Sequence, residues 1–297
     1  VLNIGQDWEN QFAGKIKELS SLDRPTAQFY FETISTAISD LSPRRHPGSL
    51  TTTVMELNSL LEASSKQGSI LPNSGVFLLV RTDESGQQRF ISMYLPKDFK
   101  KSTAIEPVVL WAGIPGSERR LAGRIGRFCE FPENAGKMSQ DDGRPSPVYL
   151  IPHVPVTPFD NLTDEVSDLK ESLHFIQEYF KKEKVALAGT STASGAVLEF
   201  AIQYPELLSR ILIFSGSKLD PWPESEIFQI QEKLAPKPTA FPPLTWIDFP
   251  FETESLGQGK LLLSVLEDAG YIVQPVQRVK GGLSLSQVTD RLVLWAE

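Results

Sequence analysis

No histidine follows His174 in this chain of 297 residues, and only three occur at all: His46, His153 and His174. They lie far apart, without the short-range spacing of a zinc site, so no bound metal is expected. The single cysteine, Cys129, excludes an internal disulfide and a multi-cysteine metal cluster. It falls in a stretch that reads as loop with no base partner, the setting of a buried or idle thiol. No apolar run approaches the roughly 20 residues of a membrane span. Basic clusters are missing too. With 29 Lys and Arg against 37 Asp and Glu, the net charge of -8 argues against a nucleic-acid-binding surface.

What is present is ordinary for a globular protein: 40% hydrophobic and 22% charged residues, enough for one large domain with an appendage. The chain opens at Val1, for which a cleaved signal peptide of a secreted or periplasmic protein and a trimmed upstream segment are both explanations. Asn161-Leu-Thr163 forms a glycosylation sequon, a match expected once by chance at this length.

Residues 1–68 read as a helical segment, and residues 69–297 as the main domain. Trp8, Phe12, Ile16 and Leu19 make one amphipathic face, and Phe29, Ile34, Ala37, Ile38 and Leu41 make a second behind Asp23-Arg-Pro25. A third helix is expected from about Thr53 to Ser65. His46, between arginines and a proline, reads as a solvated loop residue. From Gly75 the pattern turns to strands. Val76–Val80 and Gln88–Leu95 flank Asp83-Glu-Ser-Gly86 as an antiparallel hairpin. Buried strands are expected at Val108–Trp111, Val148–Ile151, Val185–Ala188, Ile211–Phe214, Leu244–Ile247 and Tyr271–Val279. Helices are expected at Asp164–Lys182, Ala196–Tyr204, Lys260–Ala269 and Leu285–Trp295. Residues 117–146 read as loop, with Arg119, Arg120, Arg124 and Arg127 on a short helix. Those arginines suit an anionic substrate or, more simply, a solvated helix face. Strands alternating with helices after a hairpin describe an α/β fold: a mostly parallel three-layer sheet with helices on both faces.

The focus is Val185-Ala-Leu-Ala-Gly189-Thr-Ser191-Thr-Ala193-Ser-Gly195. A strand strikes a small-residue turn that holds a serine, and a helix leaves it. This is the sequence form of a nucleophile elbow, whose serine sits on so sharp a bend that residues two positions away must be small. Gly189 meets that need before Ser191, and Ala193 after it. A plain strand-to-helix turn with Ser191 capping the helix fits the same residues.

Across residues 75–297 the chain resembles the α/β-hydrolase superfamily, in its putative-esterase branch of enterochelin-esterase-like, polyhydroxybutyrate-depolymerase-like and feruloyl-esterase-like enzymes. Tyr94-Leu-Pro-Lys-Asp-Phe99 is similar to the segment before the central strand in that branch. Val109-Leu-Trp-Ala-Gly113 stands where the family has its Leu-His-Gly signature. The Gly189-Thr-Ser191-Thr-Ala193 elbow, the Tyr204–Gly216 continuation, Asp268-Ala-Gly270 and Lys280-Gly-Gly282 complete the match. The resemblance implies an α/β-hydrolase sandwich with an antiparallel N-terminal hairpin, no cofactor, and a small-molecule ester or acyl ligand. It also implies Ser191 as nucleophile and the backbone N–H groups of Ile114 and Thr192 as an oxyanion hole.

Two departures stand out. The family's catalytic histidine follows the last glycine pair; here Leu283 does, and Ala112 replaces the histidine of the Leu-His-Gly signature. A serine hydroxyl without a base in reach is a weak nucleophile. His153 ends the strand before the elbow unit and is the substitute base on offer. In the hydrolase strand order one neighbouring strand separates it from the elbow strand, roughly 10 Å, so a bent loop or a water must intervene. A loop-packing histidine is the alternative. His174, mid-helix beside Leu173, reads as structural. The acid position falls in Asp248-Phe-Pro-Phe-Glu252-Thr-Glu254, with Glu252 aligned best; a solvated loop carboxylate is the other explanation. Two functions follow: an esterase-like serine hydrolase with an atypical triad, or an inactive relative that binds a ligand or partner.

Overall fold

The computed structural model describes residues 6–39, 74–83, 85–96, 106–113, 115–130, 147–155, 159, 161–190, 193–215, 241–248, 264–268, 270–271, 273–274, 277–278 and 284–296. The expected helix at Thr53–Ser65 and His46 lie outside them. Among the described residues eight strands form one sheet, in the order β1-β2-β4-β3-β5-β6-β7-β8. They are β1 (Gly75–Thr82), β2 (Gln88–Leu95), β3 (Pro107–Ala112), β4 (Val148–Pro152), β5 (Val185–Thr190), β6 (Leu208–Ser215), β7 (Leu244–Asp248) and β8 (Gln277–Arg278). The β1–β2 hairpin and the β2–β4 pair are antiparallel, and every other pair is parallel.

Side-chain alternation along each strand builds two cores. Val109 and Trp111 of β3, Val185 and Leu187 of β5 and Ile211 and Ile213 of β6 face α4 (Leu162–Phe180) and α5 (Ala193–Gln203). The intervening Val108, Leu110, Ala186, Ala188, Leu212 and Phe214 face α3 (Glu118–Glu130) and α6 (Leu285–Ala296). Helices thus cover both faces, as the alternation of strand and helix signals implied. On α4 the stripe Val166, Leu169, Leu173 and Ile176 is buried as its spacing predicts, and Phe180 packs at its edge. Asn161 caps this helix: its Oδ1 accepts from the Asp164 N–H at 2.9 Å, a bond worth about 1 kcal/mol. His174 lies on the exposed side of α4.

Two expectations need correcting. Residues 118–130 are a full helix rather than loop, and half-buried Cys129 sits on it. Gly123 and Gly126 lower its intrinsic propensity, but burial of Leu121, Ala122 and Ile125 outweighs that cost. Arg119, Arg120 and Arg127 do form its solvated face, whereas Arg124 is half-buried with its Nε out of solvent. On α2 (Arg24–Ser39) Thr26, Ala27 and Tyr30 turn inward and Phe29 of the expected face is half-buried against Phe90, while the side chains of Ile34, Ala37, Ile38 and Leu41 lie outside the described residues. In 271–279 the described pairing is a bridge at Val273 and the two residues of β8.

The position of α2 follows from the sheet. β1 is an edge strand whose outward N–H groups would otherwise stand unpaired. Thr26 Oγ1 accepts from the Val80 N–H at 2.9 Å, and Tyr30 Oη accepts from the Leu78 N–H at 3.3 Å. The start of α2 is tied down as well, since Tyr179 of α4 donates to the buried carboxylate of Asp23 at 2.9 Å. On α1 (Gln6–Lys17) and just beyond it, Phe12, Ile16 and Leu19 are buried, as their spacing predicts.

Candidate active site

Four central strands end level. Ala112 pairs with Thr190, Thr190 with Phe214, and Phe214 with Ile247. Their carboxyl ends therefore form one rim, the edge at which open α/β sheets bind ligands. The chain leaves β3 there into the segment holding Ile114, leaves β5 into Ser191-Thr192, and leaves β7 at Asp248, four residues before Glu252. It also leaves β8 at Arg278, which pairs with Asp248 and lies five residues before Leu283. Ser191, Thr192, Ile114, Glu252 and Leu283 themselves lie outside the described residues; the topology brings their attachment points together.

The elbow's flanks are tightly built. β5 ends at Thr190 and α5 begins at Ala193, so two residues make the whole reversal. A Cβ at Gly189 would stand 2.8 Å from Val197 Cγ2 and 3.2 Å from Ser194 Cα. The first turns of α5 therefore cross directly over Gly189, and only glycine fits. Ala193 is fully buried at the start of the helix, where a bulkier side chain would need space that is already filled. Ser194 locks the turn to β6, its buried hydroxyl donating to the Phe214 carbonyl at 3.0 Å.

His153 follows the end of β4, and β3 separates that strand from β5. It is committed to the other side. Its N–H extends the ladder to the Phe90 carbonyl of β2 at 2.8 Å, and its Nε2 shares a 2.8 Å hydrogen bond with Ser92 Oγ, also of β2. Its ring lies 6.0 Å from that of Phe90. Burial pushes the imidazole below its ordinary 6.5; nearby Glu118 works against that shift and Arg119 adds to it. Burial thus favours the neutral form of the ring.

Two carboxylates at the rim escaped attention in the sequence. Glu118, in the first turn of α3, is 1% exposed. Its Oε1 accepts from the Val154 N–H at 3.2 Å, while its buried Oε2 accepts no hydrogen bond among the described residues. It ties the helix that follows the Ile114 segment to the chain leaving β4. Glu165, in the first turn of α4, accepts from the Trp111 indole at 2.8 Å, one residue before the end of β3. Burial raises its carboxyl above the ordinary 4.5, with the Trp111 bond opposing and Asp168 adding to the rise. An acidic residue in a first helical turn is the only sequence signal either gives, and helix-dipole pairing explains that signal equally well. Among the described residues no group of three or more His, Cys, Asp or Glu is placed to hold a metal ion, and no helix is long and apolar enough to cross a membrane.

No family model matches this chain, and no curated protein matches it. Solved structures do. The S-formylglutathione hydrolase of Staphylococcus aureus aligns over 76% of this chain and 98% of its own, at 16% identity and a TM-score of 0.52. A feruloyl esterase module from Clostridium thermocellum aligns over 75% of this chain and 89% of its own, at 8% identity and a TM-score of 0.55. The enterobactin esterase of Shigella flexneri aligns over 76% of this chain, at 13% identity and a TM-score of 0.52, and the alignment spans 60% of that longer enzyme. Identities this low carry the fold alone. That fold is the α/β-hydrolase fold.

Proposed function

We propose that this protein is an esterase-like serine hydrolase acting on a carboxylic ester or related acyl substrate, with Ser191 as its nucleophile. The observation carrying the proposal is the two-residue reversal between Thr190 and Ala193 at the carboxyl rim, packed so closely that Gly189 has no room for a Cβ. A helix can be capped without such crowding; a nucleophile elbow needs it. The esterases that share the fold support the same class of reaction.

In this mechanism the Ser191 hydroxyl loses its proton to a base as its oxygen attacks the acyl carbon. The oxyanion is met by the backbone N–H groups of Ile114 and Thr192. The alcohol leaves with the proton, and water then frees the acid from the acyl-serine. With Leu283 in the family's histidine position, His153 is the base on offer. Burial favours its neutral form, as a base requires, but its bond to Ser92 leaves Nδ1 and an intervening water as the route. Glu252 would then stand as the acid of a degenerate triad. The same commitment of His153 to β2 favours the second function, an inactive α/β-hydrolase-fold protein that binds a ligand or partner.

Labelling with a fluorophosphonate probe separates the two. An activated Ser191 takes the label, and Ser191→Ala abolishes it; labelling of the intact chain no greater than that of Ser191→Ala selects the binding protein. His153→Ala sharpens the result, since labelling that survives it removes His153 as base.

A further inference from the structure

The outer flank of the sheet holds a cavity of about 390 Å³ between α6 and strands β6 and β7. Pro243, Thr245 and Ile247 line it from the β7 side, Gln274 from the chain before β8, and Arg291, Leu294 and Trp295 from α6. None of the residues assigned to ester cleavage belongs to it. Its size lies within the range of small-molecule pockets, and its polar groups fall into two sets.

The first set is fully occupied. Arg210 donates from Nε and Nη2 to Glu106 Oε2 at 3.1 and 2.8 Å, and from Nη1 and Nη2 to the Trp295 and Ala296 carbonyls at 2.6 Å each. It closes the carboxyl end of α6, its charge offset by Glu106, and its guanidinium lies 4.6 Å over the Trp295 ring. The Trp295 indole donates to Thr245 Oγ1 at 3.2 Å, and that hydroxyl in turn donates to Gln274 Oε1 at 2.7 Å. An indole N–H can only donate, so the relay has one direction, and it fixes the amide of Gln274 with its oxygen turned inward.

The second set is left over. The Gln274 Nε2 group has no partner among the described residues. Half-buried Arg291 makes no hydrogen bond or ion pair among them either. An uncompensated guanidinium and an oriented amide donor thus share a concave site whose other walls are Pro243, Ile247 and Leu294. Leu294, 39% exposed, stands at the mouth. In a chain of net charge -8 this is a local reversal of sign.

We propose that this cavity binds a small organic anion, an apolar or aromatic body carrying a carboxylate or phosphate. Arg291 takes the anionic oxygens, Gln274 Nε2 donates a further hydrogen bond, and the apolar walls take the body. A guanidinium fork matches both oxyanions in geometry, so the probes must separate them.

Benzoate, phenyl phosphate and inorganic phosphate are titrated into the intact chain by calorimetry, with tryptophan fluorescence read in parallel. At least one aryl anion is expected to bind saturably and more tightly than inorganic phosphate, which leaves the apolar walls unused. The stronger of the two aryl probes identifies the anionic group. Arg291→Ala should weaken that binding at least about tenfold, the loss of one charge-assisted contact, with Arg291→Lys falling between. Trp295→Phe should remove the fluorescence response, which places the ligand here and not at Ser191. Absence of saturable binding by every probe overturns the proposal. So does binding that Arg291→Ala leaves unchanged, or a fluorescence response that survives in Trp295→Phe.

Discussion

The two flanks of the sheet use buried charge in opposite ways. At the β1 flank, Arg81 is 4% exposed in its side chain. It donates to Asp168 Oδ1 at 2.6 Å, Glu171 Oε2 at 2.9 Å and Ser172 Oγ at 3.2 Å, all on α4. Arg89 adds a bond to Asp83 at 3.0 Å and approaches Asp168 at 3.9 Å. At the β7 flank Arg210 is similarly occupied, but Arg291 has no partner among the described residues. A network whose charges are paired with one another holds structure together and leaves no charge for a ligand, although the buried Arg81 Nε finds no acceptor among the described residues. A concave site with a spare guanidinium and a spare amide does. Burial fraction alone would have pointed to the wrong flank.

The largest effect separating the flanks should come from deleting one arginine on each. Arg81→Ala leaves Asp168 buried without its closest partner, and breaking such a pair costs about 3–5 kcal/mol. Burial already raises the Asp168 carboxyl above its ordinary 3.8, with Arg81 and Arg89 opposing that rise. Arg291→Ala should change stability by no more than about 0.5 kcal/mol. Urea unfolding of the two variants makes the comparison, and equal losses would erase it. Thr26→Val comes next. It keeps the shape of the side chain but leaves the edge N–H of Val80 unpaired in a buried setting, for about 1–3 kcal/mol. A loss much smaller than that would mean that water reaches the edge and α2 is not needed to close it.

The smallest effect is one of pH. The folded-state pKa of His153 lies below 6.5, with Glu118 and Arg119 the charged groups that act on it. Between the folded value and 6.5 the unfolded chain binds more protons, so stability is complete above 6.5 and falls as pH drops through that window. His153→Gln should flatten this part of the profile relative to the unsubstituted chain. An unchanged slope would mean that the imidazole is not desolvated as its packing against Phe90 indicates.

Much of the fold was legible in the residues. Strand alternation, the α4 stripe and the small residues around Ser191 are signals of period and size, and the structure carries each of them, down to the 2.8 Å that forbids a Cβ at Gly189. The full helix over 118–130 was hidden because Gly123 and Gly126 speak against helix locally, while the burial that stabilises it comes from a sheet the local pattern does not contain. The rim carboxylates Glu118 and Glu165 were hidden for a related reason, since their partners Val154 and Trp111 lie 36 and 54 residues away.

By itself, then, the sequence determined the alternation of strands and helices and the point where the chain must turn most sharply, because hydrophobic period and side-chain volume act between near neighbours. Tertiary structure alone decided which charges are spent. It gave Arg81 to Asp168 of α4, His153 to Ser92 and Arg210 to the end of α6, contacts that join segments 61 to 87 residues apart in the chain, and it left Arg291 lining a cavity.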